Sequence, residues 1–233
     1  MTVVQQKFLD AVRDYRMVDP DDRIVLAVSG GKDSFTLLDL FCKLKQEHFP
    51  QVRFLACTIS TDVTCSGSIP LRVLKELAAS AGVEYETIYY PISEEAKGRV
   101  ECFYCALRRR TALMKLAFQK GFTTIAFGHH QDDIVETLLM NVFHYGNVST
   151  MAPKIRFFEG KIKIIRPLAY ITEDETRAYA EEMTVVPPAC QCGGLARSIR
   201  HDTKQFIAKL KQRYPDTAAN LYKVLTTSGR GTE

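Results

Sequence analysis

No apolar run in the 233 residues approaches the length of a membrane span, which removes an integral helical membrane protein from the readings. The N-terminus, Met1 to Arg16, carries Gln, Lys, Asp and Arg among its apolar residues. It holds no continuous hydrophobic stretch and is not a signal peptide, so the cytoplasm is the expected location. There is no internal repeat and no low-complexity segment. There is also no strong charge imbalance: the net charge of +4 permits nucleic acid as a partner without arguing for it. With 46% hydrophobic and 25% charged residues the composition is that of a folded globular chain, long enough to bury a sizeable core. Seven cysteines in a chain without an export signal point to free, metal-binding or catalytic thiols rather than disulfides.

What the chain does have is a regular alternation of buried strands and amphipathic helices. Val3 to Tyr15 has apolar residues near a period of 3.6 and reads as a helix, followed by the polar break Asp19-Pro20-Asp21-Asp22. Strands are expected at Arg23 to Ser29, Arg53 to Ser60, Glu84 to Tyr89 and Thr123 to Phe127. Helices are expected at Phe35 to Leu44, Leu71 to Ala81, Cys102 to Lys120 and Asp132 to His144. Ile155 to Phe158 and Lys161 to Arg166 flank Glu159-Gly160 as a hairpin. Thr172 with Glu175 three residues on is a capping box for a helix to Met183. Such alternation predicts an α/β fold, a doubly wound parallel sheet, with ligands beyond the C-terminal strand ends at the switch point of strand order. The expected organisation is an N-terminal helix over 1–21, a catalytic domain over 22–186, and a cysteine-containing segment with a basic helical tail over 187–233.

Ser29-Gly30-Gly31-Lys32-Asp33-Ser34 stands between the first strand and its helix. Adjacent glycines let the backbone approach a ligand, and N–H groups at a helix start favour an anion. Two hydroxyls and the Lys32 ammonium suit a di- or triphosphate. The spacing is not that of Walker A. A ligand-free strand-to-helix turn would explain the glycines alone; it explains the whole set less well.

Gly128-His129-His130-Gln131-Asp132-Asp133 lies at another strand-to-helix junction on the same sheet edge. Asp132 and Asp133 could simply cap the helix. Their place on the ligand edge assigns them to Mg²⁺–nucleotide positioning or acid–base work. His129 is a candidate phosphate or ribose contact, His130 reads equally as a packed residue, and Glu136 and Thr137 read as structural.

Cys102-Phe103-Tyr104-Cys105 opens a helix and is followed by Arg108, Arg109 and Arg110; Cys190-Gln191-Cys192 precedes a second basic run that includes Arg197 and Arg200. Four thiolates could hold zinc, and three could hold an iron–sulfur cluster with one iron open. Cys42 and Cys57 read as small buried hydrophobes, and Cys65 has no assignable role. Two basic clusters beside two cysteine clusters suit a phosphodiester backbone, particularly a looped RNA with a splayed base.

These features together resemble the PP-loop ATP pyrophosphatases, and within them the tRNA 2-thiolation enzymes of the tRNA 2-thiocytidine synthetase (TtcA) type. The matching residues are the Ser29–Ser34 loop, Cys102-x-x-Cys105 with its arginines, Gly128-His129-His130-x-Asp132-Asp133-Ile134, Ile165-Arg166-Pro167-Leu168-Ala169-Tyr170 and the Cys-Gly at Cys192. The resemblance implies ATP with Mg²⁺ on Ser29 to Ser34, Gly128 and His129, with Lys32, Asp33, Asp132 and Asp133 as catalytic residues. It also implies a [4Fe-4S] cluster on Cys102, Cys105 and Cys192, and tRNA held by Arg108, Arg109, Arg110, Arg197 and Arg200. The reaction implied is adenylation of the C2 oxygen of a tRNA pyrimidine, the anticodon-loop cytidine at position 32, and its replacement by sulfur carried on the cluster. A sulfur donor such as a cysteine desulfurase or sulfide would be a partner, and a homodimer is an open expectation. The chain departs from the family pattern in having Cys190-Gln191-Cys192 where a CxxC is expected, which leaves Cys190 as an alternative third ligand. The rival readings are a cluster-free PP-loop ligase or thiolase using a persulfide or zinc, such as a 2-thiouridine synthetase, and a non-catalytic nucleotide-binding module.

Overall fold

A computed structural model of the chain describes residues 1–62, 69–93, 102–184 and 199–228. Its centre is β1 (Arg23–Ala27), buried from Ile24 onward, as a strand covered on both faces must be. β1 pairs in parallel with β2 (Arg53–Ser60) and β4 (Thr124–Ala126). β3 (Glu84–Tyr89) extends the sheet beyond β2 and β6 (Ile162–Ile165) beyond β4, both parallel. β5 (Lys154–Phe157) closes the far edge antiparallel to β6, giving the order β3-β2-β1-β4-β6-β5. The doubly wound expectation holds with one antiparallel edge strand, delivered by the hairpin whose turn runs through Phe158, Glu159 and Gly160 at positive φ. Strand order reverses between β1 and β4, the switch point where such sheets bind ligands.

Side chains alternate along β1. Ile24 and Leu26 face a core built with α1 (Val3–Asp14), α2 (Lys32–His48), α3 (Leu71–Ser80) and α6 (Glu173–Glu182), through residues such as Phe8, Phe41, Leu74 and Tyr179. Val25 and Ala27 face α4 (Cys102–Gln119), packing on Leu113 and Leu116. Rings of Phe8 and Phe41 meet edge to face at 5.0 Å, and both are fully buried. Each such burial contributes on the order of 2–3 kcal/mol.

A third cluster joins α5 (Gln131–Tyr145) to α7 (Ile199–Arg213) and α8 (Thr217–Ser228) through Ile134, Leu139, Ile207 and Tyr222. The tail helices are thereby docked beside the C-terminal sheet edge.

At the opposite edge, the buried Lys163 ammonium sits 2.6 Å from Asp22 and 2.8 Å from Asp19, and Thr124 Oγ1 donates to Asp22. Cys42 and Cys57 are buried as expected, and burial pushes both thiols up to about 12. Cys65 lies outside the described residues. No described helix is long and apolar enough to cross a membrane.

Candidate functional site

The loop after β1 is closed by one hydroxyl. Ser34 Oγ accepts from the Ser29 and Gly30 N–H groups at 3.1 and 3.2 Å and donates to the Gly31 carbonyl at 2.9 Å. Gly30 is at φ +87°, a conformation a side chain would disfavour. With Ser34 turned inward as a brace, the donors left for an anion are the first N–H groups of α2, which have no intrahelical acceptor, and Lys32 Nζ.

Two further helix starts meet this one. α5 begins after β4, and His130 is its N-cap: its Nδ1 accepts the Asp133 N–H at 3.3 Å while Asp133 Oδ2 accepts the His130 N–H at 3.1 Å. The capping role considered for the aspartates is thus shared by Asp133 and a histidine. α6 begins with the expected capping box of Thr172 and Glu175. Its first N–H, from Glu173, donates to Asp132 Oδ2 at 2.7 Å. Thr176 in the same turn donates to Asp33 Oδ1 at 2.6 Å. Lys32 Nζ stands 2.8 Å from Asp33 and 3.5 Å from Glu173. His130 Nε2, almost wholly buried, is 3.8 Å from Asp33 and 3.4 Å from Asp133. Three positive helix ends and four carboxylates (Asp33, Asp132, Asp133, Glu173) therefore meet here, with the Lys32 ammonium between Asp33 and Glu173.

α7 supplies the counter-charge. Arg200 lies 2.9 Å from Asp133 and 3.7 Å from Glu136, Lys204 2.6 Å from Glu173, and Lys211 3.8 Å from Asp132. A mixed-charge cavity of about 290 Å³ remains between α5, α6 and α7, walled by Asp132, Glu136, Glu173, Arg177, Lys204 and Lys211. Burial pushes the Asp133 carboxyl up, but His130, whose backbone N–H donates to it, and the Arg200 guanidinium outweigh it and hold it below its ordinary range. Glu173 behaves likewise: burial raises it, and Lys204, Lys32 and His130 bring it down to about 2. Glu136 goes the other way. Burial, then the neighbouring Asp133 charge, raise it to about 7 against the pull of Arg200 and Lys204.

The structure brings together Lys32, Asp33, Asp132, Asp133 and Arg200. Gly128 has a packing reason: a Cβ there would come within 2.9 Å of the Asp33 carbonyl oxygen, so the α5 entry can approach α2 only as glycine. His129 is partly buried, its ring 5.6 Å from Phe127, and burial lowers it to about 4. Cys105 is buried in the first turns of α4. Cys102 starts that helix, with its side chain outside the described set. Cys190, Cys192 and Arg197 lie outside the described residues. Arg108 donates to the Tyr90 hydroxyl, Arg109 to Thr61, and Arg110 lies over Phe127. Sequence reasoning did not single out Glu173 or Thr176, and Lys204 figured only as one cation of the basic run after the second cysteine pair. The capping box at Thr172 was the available signal, since it places residue 173 in a helix's first turn at the ligand edge.

The donor chemistry fits the implied groups as far as it is described. Carboxylates beside a glycine turn with free helix N–H groups suit Mg²⁺, which takes one or two carboxylates with waters and substrate phosphates rather than an all-protein cage. Among the described residues no three His, Cys, Asp or Glu side chains form such a cage. Cys105, buried in the first turns of α4, is a soft sulfur ligand of the kind that iron–sulfur clusters take.

A family model for the PP-loop domain matches residues 1–186. A tRNA-cytidine(32) 2-sulfurtransferase of Alkalilimnicola ehrlichii is 37% identical over 93% of this chain and 70% of its own length. One from Xylella fastidiosa is 36% identical over 92% and 73%. Among solved structures, the U34-tRNA thiolase NcsA from Methanococcus maripaludis with its [4Fe-4S] cluster superposes with a TM-score of 0.76, covering 99% of this chain and 80% of that one at 18% identity, a likeness of fold. The loop, the helix ends gathered on it and these relatives agree: the chain belongs to the PP-loop family and, within it, to that of the tRNA-cytidine(32) 2-sulfurtransferases.

Proposed function

We propose that the chain is an ATP-dependent tRNA sulfurtransferase that adenylates the C2 oxygen of a tRNA pyrimidine, the anticodon-loop cytidine at position 32, and exchanges that oxygen for sulfur. The observation that carries this reading is the meeting of Lys32 and the α2 N-terminus with the carboxylates of α5 and α6 at the switch point, the edge from which the cysteine-bearing start of α4 also springs. The curated relatives support the choice of substrate.

The free N–H groups of α2 and Lys32 hold the β- and γ-phosphates of ATP and stabilise the charge that develops as pyrophosphate leaves. One or two of the carboxylates Asp33, Asp132, Asp133 and Glu173 would hold a Mg²⁺ shared with those phosphates. The C2 oxygen attacks the α-phosphorus, the bond to pyrophosphate breaks, and the base carries an adenylate. A [4Fe-4S] cluster held by Cys102, Cys105 and Cys192, with Cys190 as the alternative third ligand, supplies the sulfur when bound. Sulfur bonds to C2, and AMP departs as the C2–O bond breaks. The arginines of α4, with Arg197, hold the RNA, whereas Arg200 acts on Asp133. The expected setting is the cytoplasm, with a cysteine desulfurase or sulfide as donor.

Mass spectrometry of tRNA nucleosides from a deletion strain tests the reading: 2-thiocytidine should vanish and return with the parent chain. Lys32→Ala should abolish thiolation while keeping the brown cluster absorbance, and Cys105→Ala should abolish both. Thiolation surviving either change sinks the assignment, and a colourless protein with stoichiometric zinc favours the cluster-free alternative.

A further inference from the structure

Arg166 is the first residue beyond β6 and is only 7% exposed. In the β4–β6 pairing Ala126 stands beside Ile165, so Phe127 and Arg166 follow as neighbours, and the Phe127 N–H donates to the Ile165 carbonyl at 3.0 Å. Ile165 packs into the α1–α2 core, and alternation turns the next residue toward the α4 face. There the Arg110 guanidinium lies 5.8 Å from the Phe127 ring centre, and that ring lies 5.6 Å from His129.

Arg166 donates from one terminal nitrogen to the Ala152 carbonyl, but its buried Nε has no acceptor. The buried Nδ1 of His129 has no partner either. Among the described residues neither Arg110 nor Arg166 has a carboxylate within salt-bridge reach; the nearby Asp133 is bonded to Arg200. A buried guanidinium kept without a counter-ion is costly. Burial, then the repulsion of Arg110, lower Arg166 to about 10, and Arg166, Arg110 and Arg200 all bear on His129, which burial already keeps neutral. The spot is short of one negative charge.

We infer that Arg110, His129 and Arg166 form an anion pocket separate from the PP-loop, which takes a phosphodiester of the RNA substrate beside the nucleotide to be modified. The inference rests on the tRNA reading above. The phosphates of ATP are served by α2, whose strand β1 lies two strands, about 10 Å, from that of Arg166 and next to that of His129, so the two guanidinium groups lie on the side of His129 away from the loop. The position suits the stretch of RNA that carries the base to be modified. Arg110 and Cys105 share α4, about 7.5 Å apart along its axis. A nucleotide pinned here by its phosphate has the activating loop on one side and the cysteine turn on the other.

The test is tRNA affinity against salt for the parent, Arg110→Gln and Arg166→Gln, with ATP and AMP affinity measured in parallel. Arg110 is exposed, so its variant remains informative if Arg166→Gln does not fold. Each variant should weaken tRNA binding about tenfold at physiological salt and reduce the slope of log K against log salt by about 0.7, one phosphate contact's share, with ATP affinity unchanged. Loss of ATP or AMP affinity with tRNA binding intact would make the pocket a nucleotide subsite and overturn the proposal. So would an unchanged tRNA affinity and slope in the exposed variant. Failure of the parent chain itself to bind tRNA would instead overturn the thiolation reading, and the pocket with it.

Discussion

Replacing Glu136 by glutamine should make the protein more stable, and increasingly so as pH rises. Glu136 is 5% exposed, close to the ionised Asp133, and the cation within salt-bridge reach of it, Arg200, is nearer to Asp133 than to it. Its carboxyl is raised from the ordinary 4.5 to about 7. A raised carboxyl favours folding while protonated; that contribution is complete below about pH 4.5 and is lost as pH climbs through about 7. At roughly 1.4 kcal/mol per pH unit, the gap sets a ceiling of about 3 kcal/mol, most of it lost between pH 5 and pH 8. Glutamine keeps the shape and does not ionise. Denaturant unfolding of parent and Glu136→Gln at pH 5, 6, 7 and 8 should give curves that diverge by about 2 kcal/mol, with the variant ahead at the alkaline end. Parallel curves, or a variant that loses ground with rising pH, would refute the claim that Glu136 is neutral near pH 6 and that Arg200 belongs to Asp133.

Two further outcomes follow from the packing. Gly128→Ala sets a Cβ against the Asp33 carbonyl and the Ser34 nitrogen, all backbone, so the α5 entry must move away from α2; stability should fall by about 1–3 kcal/mol and ATP affinity with it, and unchanged values by calorimetry would mean the approach is slack. Lys163→Ala leaves Asp22 buried without its cation at the edge of the sheet remote from the site, and should cost about 3–5 kcal/mol in unfolding experiments while the KM for ATP stays put.

The parts of this molecule that could be read in advance are those fixed by neighbours in sequence. The strand–helix alternation, the Gly30-Gly31 turn, the hairpin at Glu159-Gly160 and the Thr172 capping box each depend on a few adjacent residues, and each is found where it is expected. What escaped depends on residues far apart. Lys204 looked like one more surface cation of a basic helix; only the docking of α7 on α5 turns it to Glu173. His130 could be a ligand or a packed ring until its cap to Asp133 is seen. Gly128 carries no mark of the Asp33 backbone it must clear. Spacing reports the periodicity of a face and is silent on what that face meets.

The gathering of three helix starts also bears on how the chain reaches its working form. The bonds that tie them join residues 33 with 176, 132 with 173, and 133 with 200. Contacts between such remote segments come at the cost of closing long loops and so tend to form after local ones. During synthesis the PP-loop helix can therefore be complete while the ring of charge around it is still open. Until α7 emerges from the ribosome and docks, Asp132 and Asp133 lack Lys211 and Arg200, and Glu173 lacks Lys204. Competence for the first chemical step should thus arrive late and all at once, when the last third of the chain has folded back on the first.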